Sequence, residues 1–167
     1  MIDNIWFCEP NDARESWCFF AIKVKKQDGS DTIAGWEICF ANPNRTVRKV
    51  ADAQSDEKEL LKGLLHELYY CRKNDIKIIT FETNTIPILR TRIIFHDIHN
   101  ISFRSLQVIS IQKLLQEHLF FGEDNSVPSI SDFCSRMKIG RQDRDETELL
   151  HDIFKRIGPL LPPGVIE

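Results

Sequence analysis

The sequence predicts an α/β domain with a mixed β-sheet flanked by helices. Two observations lead to this prediction: three strand-like segments follow one another before residue 42, and an amphipathic helix then leads into a further buried strand. Strands joined by short turns pair antiparallel, whereas a helical crossover favours a parallel pair. We therefore expect three antiparallel strands followed by parallel strands in one domain, residues 1–158, with a Pro-rich tail at 159–167.

The three strand-like segments differ in their hydrophobic patterns. Residues 4–9 are short and apolar and end before Pro10, which predicts a buried strand. Residues 16–26 begin with aromatic side chains and then alternate apolar with charged ones, as in a strand with one solvated face. A Gln-Asp-Gly-Ser turn leads from them to a strand predicted at 32–41. We expect residues 42–54 to form a loop.

Capping signals and apolar stripes predict helices in most of the remaining chain. Ser55 is expected to cap a helix that runs to about Lys73, whose leucines recur with helical spacing. The next buried strand is predicted at 76–80. The later segments are predicted as a helix at 86–100, a strand end with a helix at 109–120, a helix from Ser129 to Gly140, and a helix at 145–157.

The composition excludes several classes of protein. Apolar residues form 42% of the chain, but no apolar run approaches the roughly 20 residues of a membrane helix. The first residues lack the basic segment of a signal peptide, so we expect a cytoplasmic protein with no membrane association. The net charge of −3 argues against strong non-specific nucleic-acid binding. The five cysteines lack Cys-x-x-Cys spacing and have apolar neighbours, which predicts reduced core thiols.

Five short motifs occur in a distinctive order. They are Trp-Phe-Cys-Glu at 6–9, Thr-Ile-Pro at 85–87, an apolar strand at 107–111, Ile-Gly at 139–140 and Ile-Phe at 153–154. Together they resemble the 3′–5′ exonuclease domain of the DEDD superfamily, especially that of family-B DNA polymerases. The resemblance implies a ribonuclease H-like fold, in which four carboxylates hold two Mg²⁺ or Mn²⁺ ions.

The resemblance also implies candidate site residues. Glu9 stands where the family has the Glu of its opening Asp-x-Glu pair, and Glu146, with Asp145 beside it, stands at the last acidic motif. Glu9, Asp145 and Glu146 are therefore the catalytic candidates. Glu9 and Glu146 would be the metal ligands if a metal is bound.

The sequence departs from the family at other ligand positions. Phe7, Thr85 and Ser110 occupy places where the family has Asp, and Gln142 replaces its Tyr or His. Two carboxylates alone would lack the charge to hold both ions. This pattern implies that most metal ligands have been lost.

Three groups of basic residues are candidates for contacts with nucleic acid. Arg45 and Arg48, with Lys49, lie in the predicted loop, and Arg90 and Arg92 lie on one predicted helix. Lys138, Arg141 and Arg144 lie near the predicted C-terminal helix. If they converge, they could follow a phosphate backbone; otherwise they are scattered, solvated charges.

Three interpretations of function stay open at this point. The first is a pseudoenzyme, an exonuclease-like module that binds single-stranded nucleic acid or a replication, repair or processing protein. The second is an active metal-dependent 3′–5′ exonuclease with displaced carboxylates, which would also draw on Glu82. The third is an unrelated α/β protein-interaction domain.

Overall fold

The computed structural model describes residues 17–42, 45–52, 56–98, 103–118 and 129–161. The strands in this part of the chain are β1 (Trp17–Gln27), β2 (Ser30–Asn42), β3 (Arg45–Ala51), β4 (Lys77–Thr80) and β5 (Val108–Ser110). The α-helices are α1 (Glu57–Lys73), α2 (Thr85–Phe95), α3 (Ile111–His118), α4 (Ile130–Arg136) and α5 (Glu146–Ile157). Short 3-10 helices occupy Phe103–Ser105 and Gly158–Leu160.

The five strands form one mixed sheet in the order β3-β2-β1-β4-β5. β1 and β2 form an antiparallel hairpin whose turn residues, Asp28 and Gly29, both have positive φ. This is the backbone that Asp-Gly favours in a two-residue hairpin turn. β3 adds antiparallel to β2, whereas β4 pairs parallel with β1 and β5 parallel with β4. The predicted α/β class and mixed sheet are confirmed.

The prediction of a loop at 42–54 is wrong, because Arg45–Ala51 forms β3. This strand is mostly polar and basic, so it gives little hydrophobic signal. It is stable because it pairs with β2 at the edge of the sheet, where basic side chains are common. The strand predicted at 4–9 lies outside the described residues.

The predicted helix starts agree closely with the structure. The Ser129 hydroxyl accepts a hydrogen bond from the Asp132 amide at 3.1 Å and caps α4 as predicted. The cap of α1 is Asp56, whose carboxylate accepts from the Glu59 amide at 3.0 Å. The predicted cap, Ser55, lies outside the described residues. The bounds of α5 match the prediction within one residue.

Two helices end earlier than predicted. α2 stops before residue 100 and α4 stops before residue 140. Asp97, with φ of 51°, follows the first helix, and Lys138, with φ of 56°, follows the second. A residue in the left-handed conformation ends a helix, and the spacing of apolar residues in the sequence does not predict where such a residue occurs.

The sheet separates two apolar layers. Cys18 and Phe20 belong to the layer formed with α1 and α2, whereas Phe19 belongs to the layer formed with α3, α4 and α5. Ile78 and Ile79 of β4 divide in the same way. Successive strand residues point to opposite faces, so a strand covered on both faces reads as a continuous apolar run.

The described cysteines are free and buried, as predicted for core thiols. They are Cys18, Cys39, Cys71 and Cys134. Burial raises the pKa of Cys18, Cys39 and Cys134, which keeps these groups as neutral thiols. Such thiols pack as small apolar groups and are poor nucleophiles.

Gly35 allows β2 and β3 to approach each other closely. A Cβ atom at this position would lie 2.8 Å from the carbonyl oxygen of Ala51 and 3.3 Å from the Cα of Asp52. Both contacts are with backbone, so no side-chain rotation can relieve them.

We therefore expect Gly35→Ala to lower the free energy of unfolding by about 1–3 kcal/mol, since β3 must shift to make room. Gly140→Ala is the control, because no atom lies within 4 Å of the added methyl group. We expect the control to change stability by no more than about 0.5 kcal/mol. Chemical denaturation measures both, and equal values for the two variants would contradict the close approach at Gly35.

Candidate functional site

A small cleft lies at the carboxyl ends of the parallel strands β1 and β4. Its volume is about 60 Å³. Apolar residues of β1 form one wall, and the segment after β4 forms another together with the start of α2. Glu82 and Glu146 are its two carboxylates. In open α/β sheets, ligands bind outside the carboxyl ends of the strands, which makes this cleft the first candidate site.

The start of α5 is held above the sheet by a buried carboxylate, that of Glu37. Oε1 of Glu37 accepts a hydrogen bond from the Thr147 amide at 2.6 Å, and Oε2 accepts one from Arg48 at 3.1 Å. Arg48 also contacts Asp145 at 2.8 Å. An amide at a helix start lacks an intrahelical acceptor, so Glu37 of β2 caps α5 from the face of the sheet that the helix covers.

Glu146 lies between this network and the cleft. Burial raises the pKa of its carboxyl group, and the nearby carboxylates of Glu37 and Glu82 raise it further. Arg141 and Lys23 act in the opposite direction. The net effect raises the pKa above its ordinary value, because both burial and like charge disfavour the ionised form.

Two of the arginines predicted to contact nucleic acid, Arg48 and Arg92, lie in separate ion clusters, one beside α5 and one beside α1. Arg48 is on an edge strand and is paired with Glu37 and Asp145. Arg90 lies on the exposed face of α2. Arg45 belongs to β3, but its side chain lies outside the described part of the chain, as does Glu9 entirely.

Arg92 lies in a second ion cluster, on the α1 and α2 side of the sheet. Its Nε donates to Oε1 of Glu57 at 2.6 Å, and Nε2 of His96 contacts the same oxygen at 2.6 Å. The amide of Ile33 donates to the other carboxylate oxygen at 2.6 Å. Arg92 is only 8% exposed. Its charge therefore serves to join α1, α2 and β2, and it is not available to an external phosphate.

The neutral residues at the family's ligand positions have structural contacts. Thr85 is buried and lines the cleft. The Ser110 hydroxyl donates to the Phe81 carbonyl at 3.0 Å and so links β5 to the end of β4. Gln142 lies in a neighbouring cleft with Glu146. Phe7 lies outside the described residues.

The described residues do not form a metal centre. Within these ranges, no group of three or more His, Cys, Asp or Glu residues could hold a metal ion. Asp145 and Glu37 are already engaged by Arg48. Two hard dications need several ionised oxygen ligands, which this arrangement does not supply.

Comparison with known proteins does not identify the chain. No protein-family model matches it, and no curated protein is significantly similar to it. Among the helices that the structure describes, none has the length and apolar character needed to cross a bilayer.

The sequence reasoning missed two central site residues, Glu37 and Glu57. Glu37 lies between Trp36 and Ile38 in an apolar strand, and a carboxylate in such a run must find a partner when it is buried. A carboxylate at this position in the sequence could therefore have indicated a buried, partnered group. Glu57 resembles an ordinary acidic residue at a helix start, so the sequence holds no comparable signal for it.

Loss of the Glu37 carboxylate should loosen the start of α5. We expect Glu37→Ala to lower the free energy of unfolding by about 1–3 kcal/mol, because the buried Thr147 amide loses its acceptor. Glu59→Ala is the control, since the Glu59 side chain is 60% exposed and pairs with Lys62 one turn along the same helix. It should change stability by less than about 1 kcal/mol. Urea denaturation measures both, and similar losses would argue against the capping role of Glu37.

The stability contribution of Glu146 should depend on pH. Its folded-state pKa is raised, so the folded protein binds this proton more tightly than the unfolded chain does. The free energy of unfolding therefore falls as pH rises from the ordinary value of 4.5 through the raised value. We expect Glu146→Gln to be more stable than the wild type at about pH 7 and similar to it at about pH 4.

Urea denaturation at the two pH values provides the measurement. Glu148→Gln is a suitable control, because the side chain of Glu148 is 56% exposed and lies in the same helical turn. A gain for Glu146→Gln that is the same at both pH values would show that ionisation is not its cause.

Proposed function

We propose that this chain is a ribonuclease H-like, DEDD exonuclease-like domain that no longer cleaves and instead binds single-stranded nucleic acid. It would act as a binding or assembly module in replication, repair or RNA processing, in the cytoplasm. The observation that carries this proposal concerns the central strand. β1 contains no carboxylate over Trp17–Gln27, although it lines the cleft where such a site would form.

The order of the elements supports the proposed fold. Three antiparallel strands are followed by a helix, a parallel strand and a mostly helical segment, which is the order that the resemblance implies. The antiparallel strands are β1, β2 and β3, so the strand that pairs with β4 is Trp17–Gln27. In this proposal Trp17–Gln27, in place of residues 4–9, is the counterpart of the family's opening strand, and its acidic positions fall on an apolar and lysine-containing segment.

The charges around the cleft support binding over cleavage. Lys23 is exposed on β1 beside Glu146, and Arg90 is exposed on α2, the helix whose first turn lines the cleft. Exposed cations on the elements that form an apolar cleft can contact phosphates, and apolar side chains can contact bases. The acidic net charge limits this binding to a local surface.

Fluorescence anisotropy with an end-labelled single-stranded oligonucleotide tests the proposal. We expect binding that weakens with salt, is the same in EDTA and in Mn²⁺, and leaves the strand at full length. Arg90→Gln should reduce the slope of log affinity against log salt by about 1. Arg72→Gln, an exposed arginine at the end of α1, should leave the slope unchanged.

Two results would contradict the proposal. Mn²⁺-dependent shortening of the strand that is lost in Glu146→Gln would establish an active exonuclease, the alternative favoured by the presence of Glu82 and Glu146 in one cleft. If the oligonucleotide does not bind even at low salt, the remaining interpretation is a protein-interaction domain. The exposed Ile94 and Phe95 at the end of α2 would then be its first candidate surface.

A further inference from the structure

A second cleft, between α4 and the start of α5, shares Glu146 with the first. Its volume is about 380 Å³, within the range of small-molecule sites. It is lined by Ile130, Arg141, Gln142, Arg144, Glu146 and Leu149. The cleft therefore combines an apolar wall, two guanidinium groups, an amide and a single carboxyl group.

The turn that joins α4 to α5 presents the polar side of this cleft. The Arg144 amide donates to the Arg141 carbonyl at 3.3 Å, and Asp143 between them has φ of 58°. The hydrogen bond that closes this turn fixes the backbone conformation of the two residues within it, at the edge of the cleft. Arg141 and Gln142 are exposed, so a ligand can reach both.

The two arginines differ in how their charge is balanced. Arg144 donates to Asp152 and lies 3.7 Å from Glu148, so its charge is neutralised within α5. Arg141 donates to the hydroxyl of Ser131, which carries no charge. Among the described residues it forms no salt bridge. Its positive charge is therefore available to an anion in the cleft.

We propose that this cleft binds a phosphate monoester, with Arg141 contacting the phosphate, Gln142 adding a neutral hydrogen bond, and the organic part lying against Ile130 and Leu149. A guanidinium group suits a phosphate because it offers paired donors and a delocalised charge. The inference rests on the proposed function only for the source of the phosphate. A strand end and a free mononucleotide present the same group.

Glu146 is the one acidic group lining the cleft, and its charge state affects an anion there. The charged groups that act on it are Glu37 from β2, Glu82 after β4, Lys23 from β1 and Arg141 from the turn. Its ionised form would repel a phosphate, and burial and the two carboxylates raise its pKa. Replacement by glutamine would remove that repulsion altogether.

Titration calorimetry with a nucleoside 5′-monophosphate, and with the same nucleoside lacking phosphate, tests the proposal. We expect the nucleotide to bind more tightly than the nucleoside, and Arg141→Gln to weaken nucleotide binding by about tenfold. Arg136→Gln, an exposed arginine of α4 that does not line the cleft, should match the wild type. Glu146→Gln should bind at least as tightly as the wild type. Opposite effects at two cleft residues cannot come from a general folding defect.

Oligonucleotides with and without a terminal 5′-phosphate separate the two sources. A phosphate-dependent gain in strand binding that Arg141→Gln removes supports a strand end as the ligand. If Arg141→Gln does not affect strand binding and no mononucleotide binds, the proposal of a phosphate site in the cleft is wrong, while the proposed function stands. Arg141-dependent mononucleotide binding without strand binding supports the cleft and overturns the proposed function. Equal affinities of Arg141→Gln and Arg136→Gln for the nucleotide overturn the cleft.

Discussion

The buried carboxylate of Glu37 connects parts of the chain that are far apart in sequence. It accepts the Thr147 amide at 2.6 Å across 110 residues, and it is balanced by Arg48 from the neighbouring strand. A carboxylate removed from water is tolerated only when donors replace its hydration, so these contacts are needed together. The position of α5, and with it that of Asp145 and Glu146, depends on this group. Both clefts include Glu146 and therefore depend on it as well.

Hydrophobic periodicity predicted the elements that bury a regular apolar face. β1, β2, β4 and the long helices follow this rule, because their core-facing residues recur with the spacing of their own secondary structure. β3 could not be predicted in this way, since it is a polar edge strand stabilised by its pairing with β2. The early ends of α2 and α4 depend on left-handed residues, Asp97 and Lys138, that are not glycine.

The candidate site was predictable only where its residues are neighbours in sequence. Asp145 and Glu146 were identified because they stand together at the last acidic motif of the family that the sequence resembles. The link between Glu37 and these residues could not be predicted, because its partner is the backbone amide of Thr147, which any residue at that position would supply. Arg48 and Arg92 were predicted to contact phosphate, but their acidic partners come from other elements and occupy them. The formal charges in a sequence therefore do not show which basic side chains are free to bind an anion. Arg141 differs from Arg48 and Arg92 because its hydrogen-bond partner, the Ser131 hydroxyl, is neutral.

The missing side chain at Gly35 has an electrostatic consequence. Gly35 lets β2 and β3 approach at Ala51, close to an ion pair between the two strands: Glu37 lies two residues from Gly35 on β2, and Arg48 lies three residues from Ala51 on β3. Coulombic attraction falls with distance, so a shift of β3 forced by a side chain at position 35 would weaken the Glu37–Arg48 pair. A residue that has no functional group, and that lines neither cleft, can in this way affect the electrostatics at the start of α5.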